Sequence, residues 1–273
     1  MPSYNQGAFI EQALLSVLGQ GYPNLELIVM DGGSTDETVS ILKRYTDQIA
    51  YWVSEPDSGQ AQAINRGFGQ ATGALLAWLN TDDMYMPGAL HRVAGVLTPC
   101  EAPALVYGGC LHFREGEQKA WAYWPEPFDA ERLTHFDYLV QPASFWTRAL
   151  WEATGELEEA LHYGMDWDWY IRASRVAAFT PLPAYLAIYR LHDKHKTGAG
   201  GEKRARELVQ IVETYGDAAW AAAFRDVCET GPALKRSLQR LSRLKLYRFR
   251  TLLSLYRQHG TRRVDPALTM LYP

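Results

Sequence analysis

The sequence predicts an α/β fold: a mostly parallel central sheet flanked by helices, with a helical extension at the C-terminal end. Three observations predict it. Short apolar runs alternate with stretches of helical spacing between residues 9 and 97, the pattern of strands joined by helical crossovers. Two of those runs lead into carboxylates, directly at Asp31 and after Asn80-Thr81 at Asp82 with Asp83. From about Lys203 onward the pattern is mostly helical.

Each element has its own signal. Residues 1–7 read as a loop. Phe9, Ala13, Leu14, Val17 and Leu18 follow helical spacing, and Gly21 and Pro23 end that helix. Residues 25–31 form a strand, 32–36 a turn, and Thr35 or Asp36 caps a helix to about Tyr45. Residues 51–54 are a short strand and 55–59 a loop before a helix over about 60–70. The run beginning at Leu75 is a buried strand that breaks into Asn80-Thr81-Asp82-Asp83, with Pro87 and Gly88 opening the next helix. A helix then runs to about Leu97. A strand at 105–107 and a polar, aromatic hairpin or loop follow, as far as Trp124. Residues 143–146 are a strand, a helix begins near Asp166, and 185–189 form a strand leading into Arg190-Leu191-His192. Residues 197–201 read as a flexible linker.

Composition narrows the function classes. A chain of 273 residues with 47% hydrophobic and 21% charged residues is that of an ordinary globular protein with a sizeable core. No apolar run reaches membrane-span length and no signal-peptide pattern is present. Cys100, Cys110 and Cys228 have no CxxC spacing and read as reduced thiols, which points to the cytoplasm. The net charge of −4 hides an asymmetry: residues 233–264 hold ten Lys/Arg and no acid. The remainder sets seventeen Lys/Arg against thirty-one Asp/Glu, a formal charge of −14.

Two adjacent carboxylates at a strand end repel each other and call for a cation beside them. Hard oxygen ligands suit Mg²⁺ or Mn²⁺, which bind one or two carboxylates and complete their shell with water and phosphate. The other reading is a solvated turn whose Asp caps the next helix. Ligands of parallel α/β sheets bind beyond the carboxyl ends of the strands. Asp31, the 55–59 loop and Asp82/Asp83 all fall there, which favours the site.

Four stretches then occur in order: Pro2-Ser3-Tyr4-Asn5; Asp31-Gly32-Gly33-Ser34-Thr35-Asp36; Ser54-Glu55-Pro56-Asp57-Ser58-Gly59-Gln60 with Asn65-Arg66-Gly67; and Asn80-Thr81-Asp82-Asp83. Together they resemble the family 2 glycosyltransferases of the GT-A fold, over roughly residues 1–195. Met165-Asp166-Trp167-Asp168 and Arg190-Leu191-His192 are similar to that family's acceptor-side acidic motif and closing loop. The resemblance implies a GT-A domain over 1–198, with a nucleotide-sugar half (1–99) and an acceptor half (100–198), before a helical extension (199–273).

It also implies roles. Pro2, Tyr4 and Asp31 match positions that hold the nucleoside base. Asp57, Gln60, Asn65 and Arg66 match the loop and helix beside base and diphosphate. Asp82 matches the ribose- or metal-side acid, Asp83 is expected as the direct metal ligand, and His192 either reaches the metal or diphosphate or is structural. Asp166 matches the base that takes the acceptor hydroxyl's proton in inverting members; Asp168, on another face of the helix, is the alternative. The alternative for Asp166 is a helix cap in favourable dipole placement, though base is the preferred reading and one residue can do both. Trp167 and Trp169 either line the acceptor site or pack in the core.

The implied reaction moves a sugar from a nucleoside diphosphate sugar to an acceptor hydroxyl, with Mn²⁺ or Mg²⁺ as cofactor. A UDP-sugar is the favoured donor and GDP- and dTDP-sugars are alternatives. The acceptor is a saccharide or lipid-linked saccharide, as in cell-surface polysaccharide synthesis. A sugar nucleotidyltransferase would carry an early Gly-rich loop with Arg, and a dinucleotide oxidoreductase G-x-G-x-x-G; neither is present. A nucleotide-sugar-binding protein without turnover is the non-catalytic alternative. Family members begin with an apolar strand before the Pro-Ser-Tyr-Asn stretch, so the expectation is a sheet without its first strand, from a truncated or misassigned start. Leu234, Leu238, Leu241, Phe249, Leu252 and Tyr256 share one face of a basic amphipathic helix. That face packs on the acidic domain or a second subunit, or lies on anionic lipid at the inner membrane face. Nucleic acid is not an expected partner.

Overall fold

The structure, a computed structural model, describes residues 1–216 apart from 99, 118 and 194, together with 218, 221, 222 and 225. The basic segment 233–264 and Cys228 lie outside the described residues. Two compact units are present: Met1–Ala130 with Leu139–Ala199, and Glu131–Tyr138 with the residues from Gly200 on. The first unit carries every described strand and every candidate site residue.

That unit opens with β1 (Pro2–Ser3), α1 (Ile10–Leu18), β2 (Ile28–Asp31), α2 (Thr38–Arg44), β3 (Tyr51–Ser54) and α3 (Gln60–Gln70). The strands make a parallel sheet in the order β1-β2-β3, with Pro2 opposite Met30 and Ile28 opposite Tyr51. The opening stretch is therefore more than a loop. The Gly32 N–H donates to the Ser3 carbonyl at 2.8 Å and the Met30 N–H to the Met1 carbonyl at 3.0 Å. Two residues carry no periodicity; pairing with β2 is what makes them a strand.

There follow β4 (Leu75–Leu76), β5 (Met84–Tyr85), α4 (Ala89–Leu97), β6 (Leu105–Arg114), β7 (Lys119–Tyr123), α5 (Ala130–Leu133), β8 (Ser144–Thr147), α6 (Arg148–Thr154), α7 (Met165–Ser174), β9 (Phe179–Leu191), α8 (Lys196–Ala199) and α9 (Gly201–Tyr215). The second sheet runs β4-β8-β6-β9-β5, with β7 added on β6. Only β6 and β9 pair parallel in it; the other pairs are antiparallel. Parallel pairing thus governs the first sheet and one pair of the second. An apolar run does not encode the direction of its neighbour. The aromatic stretch before Trp124 is a hairpin, β6–β7, and the expected linker contains the helical turn α8.

Gly108 and Gly109 interrupt the β6–β9 register. A Cβ at Gly108 would stand 2.5 Å from the Leu186 side chain, and one at Gly109 2.8 Å from Tyr185. These glycines let β9 approach closely and bend past the site. One core, with Leu14, Val29, Leu42, Leu79, Phe145 and Leu186 among its buried members, draws on both sheets and their helices. A ring cluster of Phe68, Trp78, Trp146, Trp151 and Trp169 joins α3, β8, α6 and α7, with Trp146 and Trp169 at 4.7 Å between centroids. Trp169 is fully buried and Trp167 is 3% exposed. Both tryptophans of the acidic motif are buried core residues: Trp169 packs in this cluster, while Trp167, two residues earlier, lies on another face of α7. In the second unit, α9 buries Leu208, Ile211 and Val212 at helical spacing.

Candidate active site

The loops after β1 and β2 are tied together by side chains that the sequence placed at turns. Asn5, at φ 51°, takes the left-handed conformation that Asn tolerates. Its N–H donates to Ser34 Oγ at 2.7 Å while its Oδ1 accepts from the Thr35 N–H at 2.9 Å. Asp36 accepts from the Gly7 N–H and from Thr38. Asp31, buried at the end of β2, accepts from the Ser34 N–H at 2.9 Å, from Ser34 Oγ and from Ser54 Oγ at 2.6 Å. Three donors hold one carboxylate fixed at the sheet's carboxyl edge. Tyr4 beside it is 62% exposed.

Asp57 closes over this edge. A Cβ at Gly32 would meet the Asp57 carboxylate at 2.8 Å, and Asp57 Oδ1 accepts from the Gly59 N–H at 2.9 Å. Burial raises the Asp57 carboxyl above the ordinary range and nearby Asp31 adds to it, against the Gly59 N–H and Arg66. Gly59, at φ 134°, turns the chain into α3, where Gln60 Oε1 accepts from Lys196 Nζ at 2.7 Å. Gln60 Nε2 donates to Asn80 Oδ1 at 2.7 Å. Asn65 points elsewhere: its Oδ1 accepts from the Leu157 N–H and its Nδ2 donates to the Leu157 carbonyl, both at 3.0 Å. Arg66 pairs with Glu55 at the surface, at 3.2 Å.

The two acidic residues after β4 have opposite surroundings. Asp83 is 1% exposed; its Oδ1 accepts from the Arg190 N–H at 3.0 Å, and Asn80 Nδ2 lies 3.4 Å from its Oδ2. Burial and the charge of Asp82 push the Asp83 carboxyl well above the ordinary carboxylate range. Asp82 keeps an open face. Its Oδ2 lies 3.2 Å from His192 Nε2, whose ring packs on Phe9 with centroids 4.3 Å apart. Arg190, 5% exposed, donates Nε to the Asp82 carbonyl at 3.0 Å and reaches Gln12. Thr81 Oγ1 lies 3.4 Å from the Pro2 carbonyl and ties this loop to β1.

On α7 the two aspartates also part. Asp168 is 7% exposed and pairs with Arg172 Nε at 2.9 Å, one turn on. Arg172 also donates to the Thr154 and Glu156 carbonyls. Asp166, half-buried in the first turn, accepts from the Trp167 N–H at 2.9 Å. The hydroxyl of Tyr189 is pushed upward by burial first and then by the charges of Asp83, Asp82 and Asp166. Tyr189 therefore stands within electrostatic reach of all three. Asn80, Gln141, Tyr189, Arg190 and Lys196 join the site without having been singled out as site residues. Asn80 and Arg190 lay inside motifs already noted, while Gln141, which donates to the Trp78 carbonyl at 2.8 Å, left no sequence signal.

Among the described residues no set of three or more His, Cys, Asp and Glu side chains converges as a metal site. The available donors are one carboxylate and one imidazole, Asp82 and His192. That pair fits a Mg²⁺ or Mn²⁺ ion that takes its remaining oxygens from water and a diphosphate.

Known proteins give this geometry a context. The profile of the family described as Glycosyl transferase family 2 matches residues 1–149. A PGL/p-HBAD biosynthesis glycosyltransferase of Mycobacterium tuberculosis is 32% identical over 180 residues, covering 63% of this chain and 67% of that protein. An uncharacterized glycosyltransferase of Rickettsia typhi is 28% identical over 208 residues, covering 72% of this chain; the chain spans 64% of that relative's length. Among solved structures, S. aureus TarS 1-349 with UDP-GlcNAc is similar at a TM-score of 0.62 and 16% identity, over 82% of this chain and 68% of that one. The mannosyltransferase PcManGT from Pyrobaculum calidifontis, with GDP-Man and Mn²⁺, is similar at a TM-score of 0.62 and 18% identity, over 99% and 84%.

Proposed function

The chain belongs to glycosyl transferase family 2, and we propose that it moves a sugar from a nucleoside diphosphate sugar to a hydroxyl of a saccharide or lipid-linked saccharide. The observation that carries this reading is the Asp82–His192 pair, 3.2 Å apart, on a loop that Thr81 ties to the Pro2 carbonyl of β1. A donor site and a base are both needed, and the charges of Asp82 and Asp166 both raise the pKa of the Tyr189 hydroxyl. Residues 1–99 form the donor half and 100–198 the acceptor half, with 199–273 an extension.

In this reading Asp31, Tyr4 and Pro2 hold the base, and the fixed carboxylate of Asp31 accepts the ring N–H of a uracil, which favours a UDP-sugar. Complexes of similar folds with UDP-GlcNAc and with GDP-Man support the donor class. Asp57 and Gln60 stand beside the diphosphate. Asp82 and His192 would hold the divalent cation, whose charge would make the nucleoside diphosphate a better leaving group. Asp83, turned inward onto the Arg190 N–H, braces the loop that presents Asp82. Asp166 takes the proton from the acceptor hydroxyl as its oxygen bonds to the anomeric carbon and the bond to the diphosphate breaks, with inversion. Asp168 orients α7 through Arg172.

For the basic segment 233–264, which lies outside the described residues, we propose contact with a second subunit. Binding of the intact chain, but not of a 1–232 form, to anionic vesicles would assign it to lipid instead. No described helix is long and apolar enough to cross a membrane.

The donor site is tested by a thermal-shift panel of UDP-, GDP- and dTDP-sugars, each with and without Mn²⁺, on wild type and Asp82→Ala. Stabilisation by one nucleotide class that needs the ion and vanishes in the variant is expected. No shift with any donor would overturn the reading. Binding without release of nucleoside diphosphate would make this a binding protein.

A further inference from the structure

The β6–β7 hairpin and β9 present four rings on one face. His112 stands opposite Trp121 of β7 and opposite Tyr189 of β9, and Cys110, two residues earlier, stands opposite Tyr123. Period-two alternation therefore puts all four side chains on the same side of the sheet. They touch: the His112 ring lies 5.5 Å from Trp121, 4.4 Å from Tyr123 and 5.0 Å from Tyr189, centroid to centroid. Yet Trp121 remains 38% exposed and Tyr123 39%. Rings that pack on each other and still show more than a third of their surface make a platform.

We propose that His112, Trp121, Tyr123 and Tyr189 form a stacking platform for the pyranose rings of the acceptor saccharide. Three observations select this occupant. The platform is continuous with the candidate active site, since Tyr189 lies three residues before His192 on the same chain segment and feels Asp82, Asp83 and Asp166. The platform is also uncharged: burial lowers the His112 pKa to about 4, so its imidazole is neutral at physiological pH. Its Nε2 is buried without a hydrogen-bond partner. Flat uncharged rings suit the C–H faces of a sugar, whose hydroxyls point outward to water and to the acids beside it. The inference deepens the transferase reading and rests on it for the word acceptor.

Saturation-transfer NMR with cellotetraose, chitotetraose, mannotetraose and maltotetraose tests it, on wild type, Trp121→Ala and Trp121→Phe. At least one tetrasaccharide is expected to bind wild type through its ring protons, to lose ten-fold or more in affinity in Trp121→Ala, and to recover in Trp121→Phe. The Mn²⁺-dependent thermal shift with the donor is run on the same samples and is retained in both variants. No binding by any of the four, or equal binding by wild type and Trp121→Ala, overturns the platform while leaving the donor site standing. Loss of the donor shift in wild type would instead sink the transferase reading, and the saccharide arm alone would then judge the platform. A dimer of wild type that becomes monomeric in Trp121→Ala, by sedimentation, would give this face to a second copy and also overturn it.

Discussion

His192 Nε2 stands 3.2 Å from Asp82 Oδ2, joining residues 110 apart in the chain. Neither side chain could hold a cation firmly alone, and β9 is what brings them together. Asp83, one residue on, is directed the other way, into the core and onto the Arg190 N–H.

Asp82→Asn and His192→Ala should therefore each abolish Mn²⁺-dependent donor binding, and the double variant should be little worse than either single one. Asp83→Asn should keep part of the metal dependence and lower thermal stability, by about 1–3 kcal/mol for a disturbed buried hydrogen bond. Isothermal titration with donor and Mn²⁺, paired with thermal unfolding, separates the two. Full loss of metal dependence in Asp83→Asn at unchanged stability would make it the ligand.

The aspartates of α7 should part in the same way. Asp166→Asn should lower kcat about 10²–10⁴-fold, with donor binding and melting temperature near wild type. Asp168→Asn should lower the melting temperature, since it leaves the largely buried Arg172 without its charge partner, at about 2 kcal/mol. Steady-state kinetics beside calorimetry reads both, and the opposite pattern would exchange their roles.

Asn65 was matched by resemblance to a donor-binding position, yet its amide is taken up on both sides by the backbone of Leu157. Asn65→Ala should cost about 1–3 kcal/mol of stability, because the buried Leu157 groups lose their partner. Donor affinity of the folded variant should change less than two-fold in titration. A ten-fold loss of affinity at unchanged stability would return Asn65 to the donor site.

His112 makes stability depend on pH. Its pKa is lowered from 6.5 to about 4 by burial. Between these values the unfolded chain binds the proton and the folded chain does not, so stability is full above 6.5 and falls as pH drops toward 4. The loss from this group reaches about 3 kcal/mol at most. His112→Phe, which keeps a neutral ring, should flatten that part of the urea-denaturation profile. An unchanged slope would refute it.

Much of the architecture was legible because burial leaves a period. The apolar face of α1 showed as a 3.6-residue repeat, and the stretch before Asp31 as a short, continuously apolar strand. Turn chemistry at Gly33, Gly59 and Gly88, all with positive φ, marked where strands give way to helices. Helix α6 passed unnoticed although its signals were present: the Thr147 side chain caps its N-terminus and Gly155, at φ 83°, ends it. Strand β1 is two residues long and has no signal apart from its partner.

By itself the sequence determined the family motifs, the alternation of strands and helices, and which loops end in carboxylates, since these depend on neighbours within a few residues. Only the tertiary structure decided what surrounds each carboxylate. Asp82 and Asp83 are adjacent and chemically identical, as nearly are Asp166 and Asp168. Asp83 is turned inward to a backbone N–H and Asp168 to an arginine, whereas Asp82 lies beside His192 and Asp166 is half-buried at the start of α7. That choice is made by β9 and by Arg172 packing against them, and local sequence does not encode a contact formed 110 residues away.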